Sequence, residues 1–197
     1  MKKKIASLLI AIMVLVCSIP SNSFADEDKK IIFINMDRTS LENMLEIPTL
    51  KKEVSKRGYI GLMNIRGDKG TDDKRSYASI GAGRKANVAE DEYINFEENT
   101  EVNSKIYESS VGEKPKYIND ITINISLEAS KKGEYGAVLG TLGQTLSDNN
   151  INYSVLGNAD IQINEQLVKN RNIGLLAMDN YGRIPSGNIE GLNIKDP

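Results

Sequence analysis

GYIGLMNIRGDKGTDDKRSYASIGAGRKAN, residues 58–87, is the stretch on which the reading of this chain turns. Tyr59-Ile60-Gly61-Leu62-Met63-Asn64 has the length and apolar content of a buried strand. Arg66 to Lys74 is a charged, glycine-punctuated loop behind it. Arg75 to Gly83 then carries small residues and ends in Ile80-Gly81-Ala82-Gly83-Arg84. Amides at a helix start here could cradle an anion. A tight turn packed against a sheet accounts for the same residues. The pair Gly81 and Gly83 lacks the third glycine of a dinucleotide fingerprint.

Upstream, Ile31-Ile32-Phe33-Ile34 is a continuous apolar run, as in a strand buried on both faces of a parallel sheet. It ends at Asn35-Met36-Asp37. Ser40 to Glu46 reads as a helix. Pro48 opens a second one, with Leu50 and Val54 facing inward, and Gly58 ends it. Strand, helix and strand make a right-handed crossover unit. Asp37 then lies beyond the carboxyl end of a strand, where open α/β sheets bind ligands. A helix cap, shared with Thr39 or Ser40, is the competing role.

Downstream, residues 87–115 read as a polar surface excursion with a short helix near 102–108. Its acid clusters, Glu90-Asp91-Glu92 and Glu97-Glu98, read as a solvated face. Residues 117–129 fit both a strand and a helix, and the helix is preferred. Glu134 to Ser147 reads as a helix striped by Val138, Leu139, Leu142 and Leu146. Gly136, Gly140 and Gly143 thin its surface for close approach to a sheet. Ile151 to Leu156 reads as a strand, Glu165 to Lys169 as a short helix, and Ile173 to Met178 as a further strand. Asp37, Asp160 and Asp179 thus each follow an expected strand end. Three acids at one sheet rim would suit a cation or phosphate-ester site. Local turn chemistry places Asp in such positions as well.

Composition narrows the chemistry. The chain has 197 residues and 40% apolar content, enough for one domain with a core. Met1-Lys2-Lys3-Lys4, an apolar run to Ile19 and the small residues to Ala25 read as a secretory signal peptide with cleavage expected after Ala25, a retained N-terminal anchor being the alternative. Residues 26–197 are then one secreted or envelope-associated domain. No stretch after Ala25 could span a membrane. Loss of three leader lysines moves the formal charge from −2 to −5, which disfavours nucleic acid as a partner. The one cysteine, Cys17, lies in the leader behind Val16, a poor lipoprotein context. The chain has no histidine, which removes imidazole bases and His-containing zinc sites. Oxygen ligands suit Mg or Mn, and zinc is disfavoured.

Taken in order, IIFINMD, the GLMN strand, IGAGR followed by Ala and Asn, YSVLGNAD and LLAMDNYG resemble the alkaline phosphatase superfamily. IGAGR is similar to the element of cofactor-independent phosphoglycerate mutases, and the later segments are like those of secreted bacterial members. The resemblance covers about residues 31–190. It implies a mostly parallel sheet flanked by helices, an α/β/α sandwich. It implies two metals and a Ser or Thr nucleophile that attacks a phosphate or sulfate ester. By position Asp37 would be a metal ligand, with Asp160 and Asp179 as further candidates. The nucleophile position, seven residues before the Ile of IGAGR, holds Asp73, with the hydroxyls of Thr71 and Ser76 nearby. Members of this superfamily continue into a second half that supplies Asp and His ligands. The expectation is therefore a non-catalytic or truncated member with a vestigial cation or phosphate-ester site. An active metal-dependent ester hydrolase and an envelope-binding domain are the alternatives. Self-association or a missing C-terminal half would complete the sheet.

Overall fold

The computed structural model describes residues 30–36, 39–61 and 66–191. The expected leader, Asp37 and Leu62–Ile65 lie outside them. The chain divides into two units at Met44–Leu45.

In the first unit, Ile31–Ile34 is exposed and belongs to no ladder among the described residues. The expected buried strand is corrected here: an apolar run becomes a strand only where a neighbour takes its N–H and C=O groups. Ser40 starts helix α1 (Leu41–Glu46), its Oγ accepting the Asn43 N–H at 3.2 Å.

In the second unit, α2 (Pro48–Arg57) has Pro at its first position and closes with the Gly58 N–H donating to the Glu53 and Val54 carbonyls. Leu50 and Val54 are its half-buried residues. Tyr59 and Ile60 are exposed and outside any strand, so the second expected strand is absent over its described part. Helix α3 (Asp73–Ala82) starts at Asp72, whose Oδ1 accepts the Arg75 N–H at 3.0 Å. Gly83 stops it at φ +63°. The small residues thus build a helix: Ala78 is fully buried, and Gly81 lies against the Leu175 and Leu176 carbonyls.

A single 3-10 turn (Asp91–Tyr93) leads to β1 (Phe96–Glu98). Helix α4 (Glu101–Val111), capped by Thr100 and stopped by Gly112, fulfils the short helix expected there. Residues 117–129 divide between both readings, as β2 (Ile118–Asp120) and α5 (Ile123–Lys131). Only Thr141–Asp148, α6, is helical in the expected 134–147 helix. Gly136 and Gly140 adopt φ of +57° and +77°, which ends helical propagation on their N-terminal side. The strand expected at 151–156 survives as β3 (Val155–Leu156).

Two further segments reverse type. Residues 165–169 belong to a hairpin, β4 (Ile161–Ile163) and β5 (Gln166–Val168). Asn164 and Glu165 both have positive φ, the geometry of a tight two-residue hairpin turn. Residues 173–178 hold the one-turn helix α7 (Gly174–Ala177). The run is largely buried, but burial does not separate a strand from a helix. At Gly174 the Phe96 ring takes the space of a side chain, 2.8 Å from where a Cβ would lie.

Among the described residues the strands β6 (Arg183–Ile184) and β7 (Gly187–Asn188) complete three small sheets. The order β1-β2-β6 is antiparallel, with Phe96 opposite Asp120 and Ile118 opposite Ile184. The β4–β5 pair is also antiparallel, and β3–β7 is parallel. The fold is therefore mixed α and β, with mostly antiparallel sheets. Its core gathers Phe96, Tyr107, Ile118, Ile123, Leu175, Met178 and Ile184 around α7. The Tyr107 hydroxyl donates to the Tyr181 carbonyl at 2.7 Å, and burial raises its pKa.

Within that core Asp120 is fully buried. Its Oδ1 accepts from the Asn95 N–H at 3.1 Å, the Thr122 N–H at 3.0 Å and the Thr122 hydroxyl at 2.9 Å, while Oδ2 has no partner. Burial pushes its pKa from 3.8 up to about 6, and those three donors hold it from going higher. The unfolded chain releases this proton near pH 4 and the folded chain near pH 6. The group's stabilising effect is full below pH 4 and falls as pH rises to 6, by about 3 kcal/mol. Asp120→Asn is expected to remove that fall. Urea midpoints of parent and variant across pH 4–7 test it; parallel curves would reject the assignment.

Candidate functional site

The start of α3 gathers the residues expected to carry chemistry. Thr71 is exposed, Asp73 is the first residue of the helix, and Ser76 is buried. The Ser76 Oγ donates to the Asp72 carbonyl at 2.8 Å, so its hydroxyl is engaged by the helix backbone. Lys74, 4% exposed, projects to Glu90 Oε2 at 2.7 Å and Asp91 Oδ2 at 3.1 Å. Burial alone would lower its pKa; the two carboxylates more than offset this and hold it above the ordinary value. Arg75 spans Asp72 and Glu90 and donates from Nε to Asn87 at 2.9 Å. Glu90 is held below the usual carboxylate range by hydrogen bonds from Lys74 and Arg75.

Asp91 continues this network. Its Oδ1 accepts from Asn172 Nδ2 at 3.0 Å. Beside Asn172, the guanidinium of Arg171 is 4% exposed. It donates from Nη1 to the Phe96 carbonyl and to Glu97 Oε2, both at 3.1 Å. Its Nε and Nη2 each reach Asp160 Oδ2 at 3.4 Å. Asp160 Oδ1 accepts the Asn170 N–H at 2.7 Å. Asp160 therefore neutralises a buried arginine and organises the 158–171 loop.

Asp179 is 1% exposed and fully engaged. Oδ1 accepts the Tyr181 and Arg183 N–H groups, both at 3.0 Å. Oδ2 accepts Arg183 Nε at 2.9 Å and faces Lys116 Nζ at 3.1 Å. A carboxylate has about four acceptor positions, and all are used here.

The expectation of acids at one sheet rim is corrected for these two residues. Asp160 immediately precedes β4, and Asp179 follows helix α7. Each is held by its own cations, because a buried carboxylate needs a partner in place of water. Among the described residues, no group of three or more His, Cys, Asp or Glu side chains could hold a metal ion. Asp37 lies outside the described residues. The sequence reading missed Lys116, Arg171 and Arg183. Their spacing, Arg171 eleven residues after Asp160 and Arg183 four after Asp179, is a usable signal only once the intervening turns are known.

Comparison with protein-family models, with curated proteins and with solved structures finds no match for this chain. Among the described residues, no helix is long and apolar enough to cross a membrane.

Proposed function

We propose that this chain is a secreted, alkaline-phosphatase-like α/β domain that supports or binds rather than hydrolyses. The four occupied acceptor positions of Asp179 carry this reading. A carboxylate spent on Lys116, Arg183 and two backbone amides has none left for a divalent cation. Asp160 supports it in the same way through Arg171. The parallel pairing of Val155–Leu156 with Gly187–Asn188 is the part of the fold that supports a parallel-sheet sandwich. The leader, Met1–Ala25, supports secretion.

The test is thermal unfolding of the full chain in EDTA and then in Mg, Mn or Zn, with p-nitrophenyl phosphate turnover on the same sample. The expected result is one transition indifferent to metal, with no turnover. A transition raised by Mg or Mn, and no longer raised in Asp37→Ala, would overturn the reading. The exposed hydroxyl of Thr71, two residues before α3, favours one second reading: a metal-dependent hydrolase of phosphoric or sulfuric esters. Turnover abolished by Thr71→Ala would establish it.

A further inference from the structure

Every strand residue of the hairpin β4–β5 is exposed. Among the described residues it is a sheet of two strands only. Two strands alone are marginally stable in water, and further strands or a covering helix ordinarily secure them. Directly opposed residues share a face, so the register puts Ile161, Ile163 and Val168 together on one side, each about half exposed. The phase of the ladder decides which backbone groups stay open. The Ala159 N–H donates to the Asn170 carbonyl at 2.9 Å. Antiparallel pairs alternate between bonded and non-bonded. Ala159–Asn170, Ile161–Val168 and Ile163–Gln166 are therefore the bonded set, and Gln162–Leu167 is a non-bonded pair. The N–H and C=O of Leu167 thus point away from β4, to the open edge of β5.

That edge is complementary to itself. Antiparallel pairing centred on Leu167 would set Leu167 on Leu167 of a second copy, Gln166 on Val168, and Glu165 on Lys169. The one acid and the one base that flank β5 would meet each other, twice, across the two-fold axis. Glu165 is exposed and forms no ion pair among the described residues. Lys169 Nζ also meets Glu97, but its side chain is 45% exposed and keeps protons for a second acceptor. Gln166-Leu167-Val168 carries none of the lysine or proline that ordinarily blunts an edge strand. The open edge of β4 offers no such match. Pairing centred on Gln162 would set Asp160 on Asn164, and Asp160 is already committed to Arg171.

We propose that β5 is the docking edge for a second copy of this chain, in a two-fold antiparallel pairing centred on Leu167. The product is a four-stranded sheet in the order β4-β5-β5-β4. The two Leu167 residues exchange their N–H and C=O groups at the axis, and a Glu165–Lys169 pair closes each side. The same patch serves both copies, as two-fold symmetry requires. Two short strands make a small interface, so the dimer is reversible, with dissociation in the micromolar range. The proposal goes beyond the reading above and rests on none of the carboxylates argued there.

Sedimentation equilibrium of the full chain across the micromolar range tests it, and a monomer–dimer equilibrium is expected. Glu165→Lys sets lysine against lysine twice and should weaken the dimer at least about tenfold. Lys169→Glu sets acid against acid and should do the same. An equimolar mixture of these two variants restores both opposite-charge pairs and should dimerise as the parent does. Leu167→Pro removes an N–H that the hairpin's own ladder does not use, and should leave a monomer. Lys105→Gln, on the exposed face of α4, should change nothing. A parent chain that stays monomeric throughout would overturn the proposal. So would a dimer unaltered by Glu165→Lys, which stands on an exposed turn and leaves the core untouched. A mixture that stays monomeric would overturn the register. None of these results bears on the metal-indifference test above, so the two readings fail separately.

Discussion

Arg171→Met is expected to lower folding stability by about 3–5 kcal/mol, the usual cost of leaving buried charges without their partner. The side chains that Arg171 serves are themselves withdrawn from water: Asp160 is 9% exposed and Glu97 is 14% exposed. Glu97 keeps Lys169, and Asp160 keeps the Asn170 N–H, which places the loss at the lower end of that range. The Phe96 carbonyl on β1 loses its donor as well. At about 2–4 °C per kcal/mol for a domain of this size, the melting temperature should drop by about 10 °C. The triple variant Arg171→Met, Asp160→Asn, Glu97→Gln should recover much of the loss, because removing the three buried charges removes their desolvation cost with them. Urea unfolding of the three proteins decides the matter. A loss below about 1 kcal/mol in the single variant would mean that the cluster is solvated and contributes little.

Gly143→Ala is expected to reverse the ordinary sign of its substitution class. In an exposed helix interior, Gly to Ala stabilises by about 1 kcal/mol. Here a Cβ would lie 2.3 Å from both the Ala177 and Met178 carbonyl oxygens. Those atoms are backbone, and they cannot rotate aside. Helix α6 would have to lift away from the segment that follows α7, opening the core beside Leu175 and Met178. A loss of about 3 kcal/mol or more is expected, at the upper end for overpacking. Gly83→Ala is the comparison. It also substitutes a glycine beside a helix, but into open space at φ +63°, and should cost only about 1–2 kcal/mol of backbone strain. Thermal unfolding of both variants checks the ranking. Equal losses would show that the close approach at Gly143 yields easily.

What was legible in the sequence was punctuation and apolar content. Ser40, Pro48 and Gly58 mark helix ends through backbone chemistry that acts within a few residues. The glycines of α6 announced a close approach, and Gly140 and Gly143 make one, against residues 177–180. The apolar content of residues 173–178 was legible. Their conformation was not, because a six-residue apolar segment satisfies either period. The choice fell to the tertiary structure: the Phe96 ring fills the space beside Gly174, and α3 and α6 close on either side. Residues 165–169 became a strand because Asn164 and Glu165 turned the chain back on Ile161–Ile163.

The roles of the acids divide in the same way. By itself the sequence determined that no imidazole was available for a metal or a general acid, since it has no histidine. It also placed Asp160 and Asp179 beside turns. Only the tertiary structure decided what those two carboxylates face. Lys116 reaches Asp179 across 63 positions, and Glu97 joins Arg171 across 74. Burial removes water from a carboxylate, and whichever cation the fold then brings within reach determines whether it holds a metal or the chain itself.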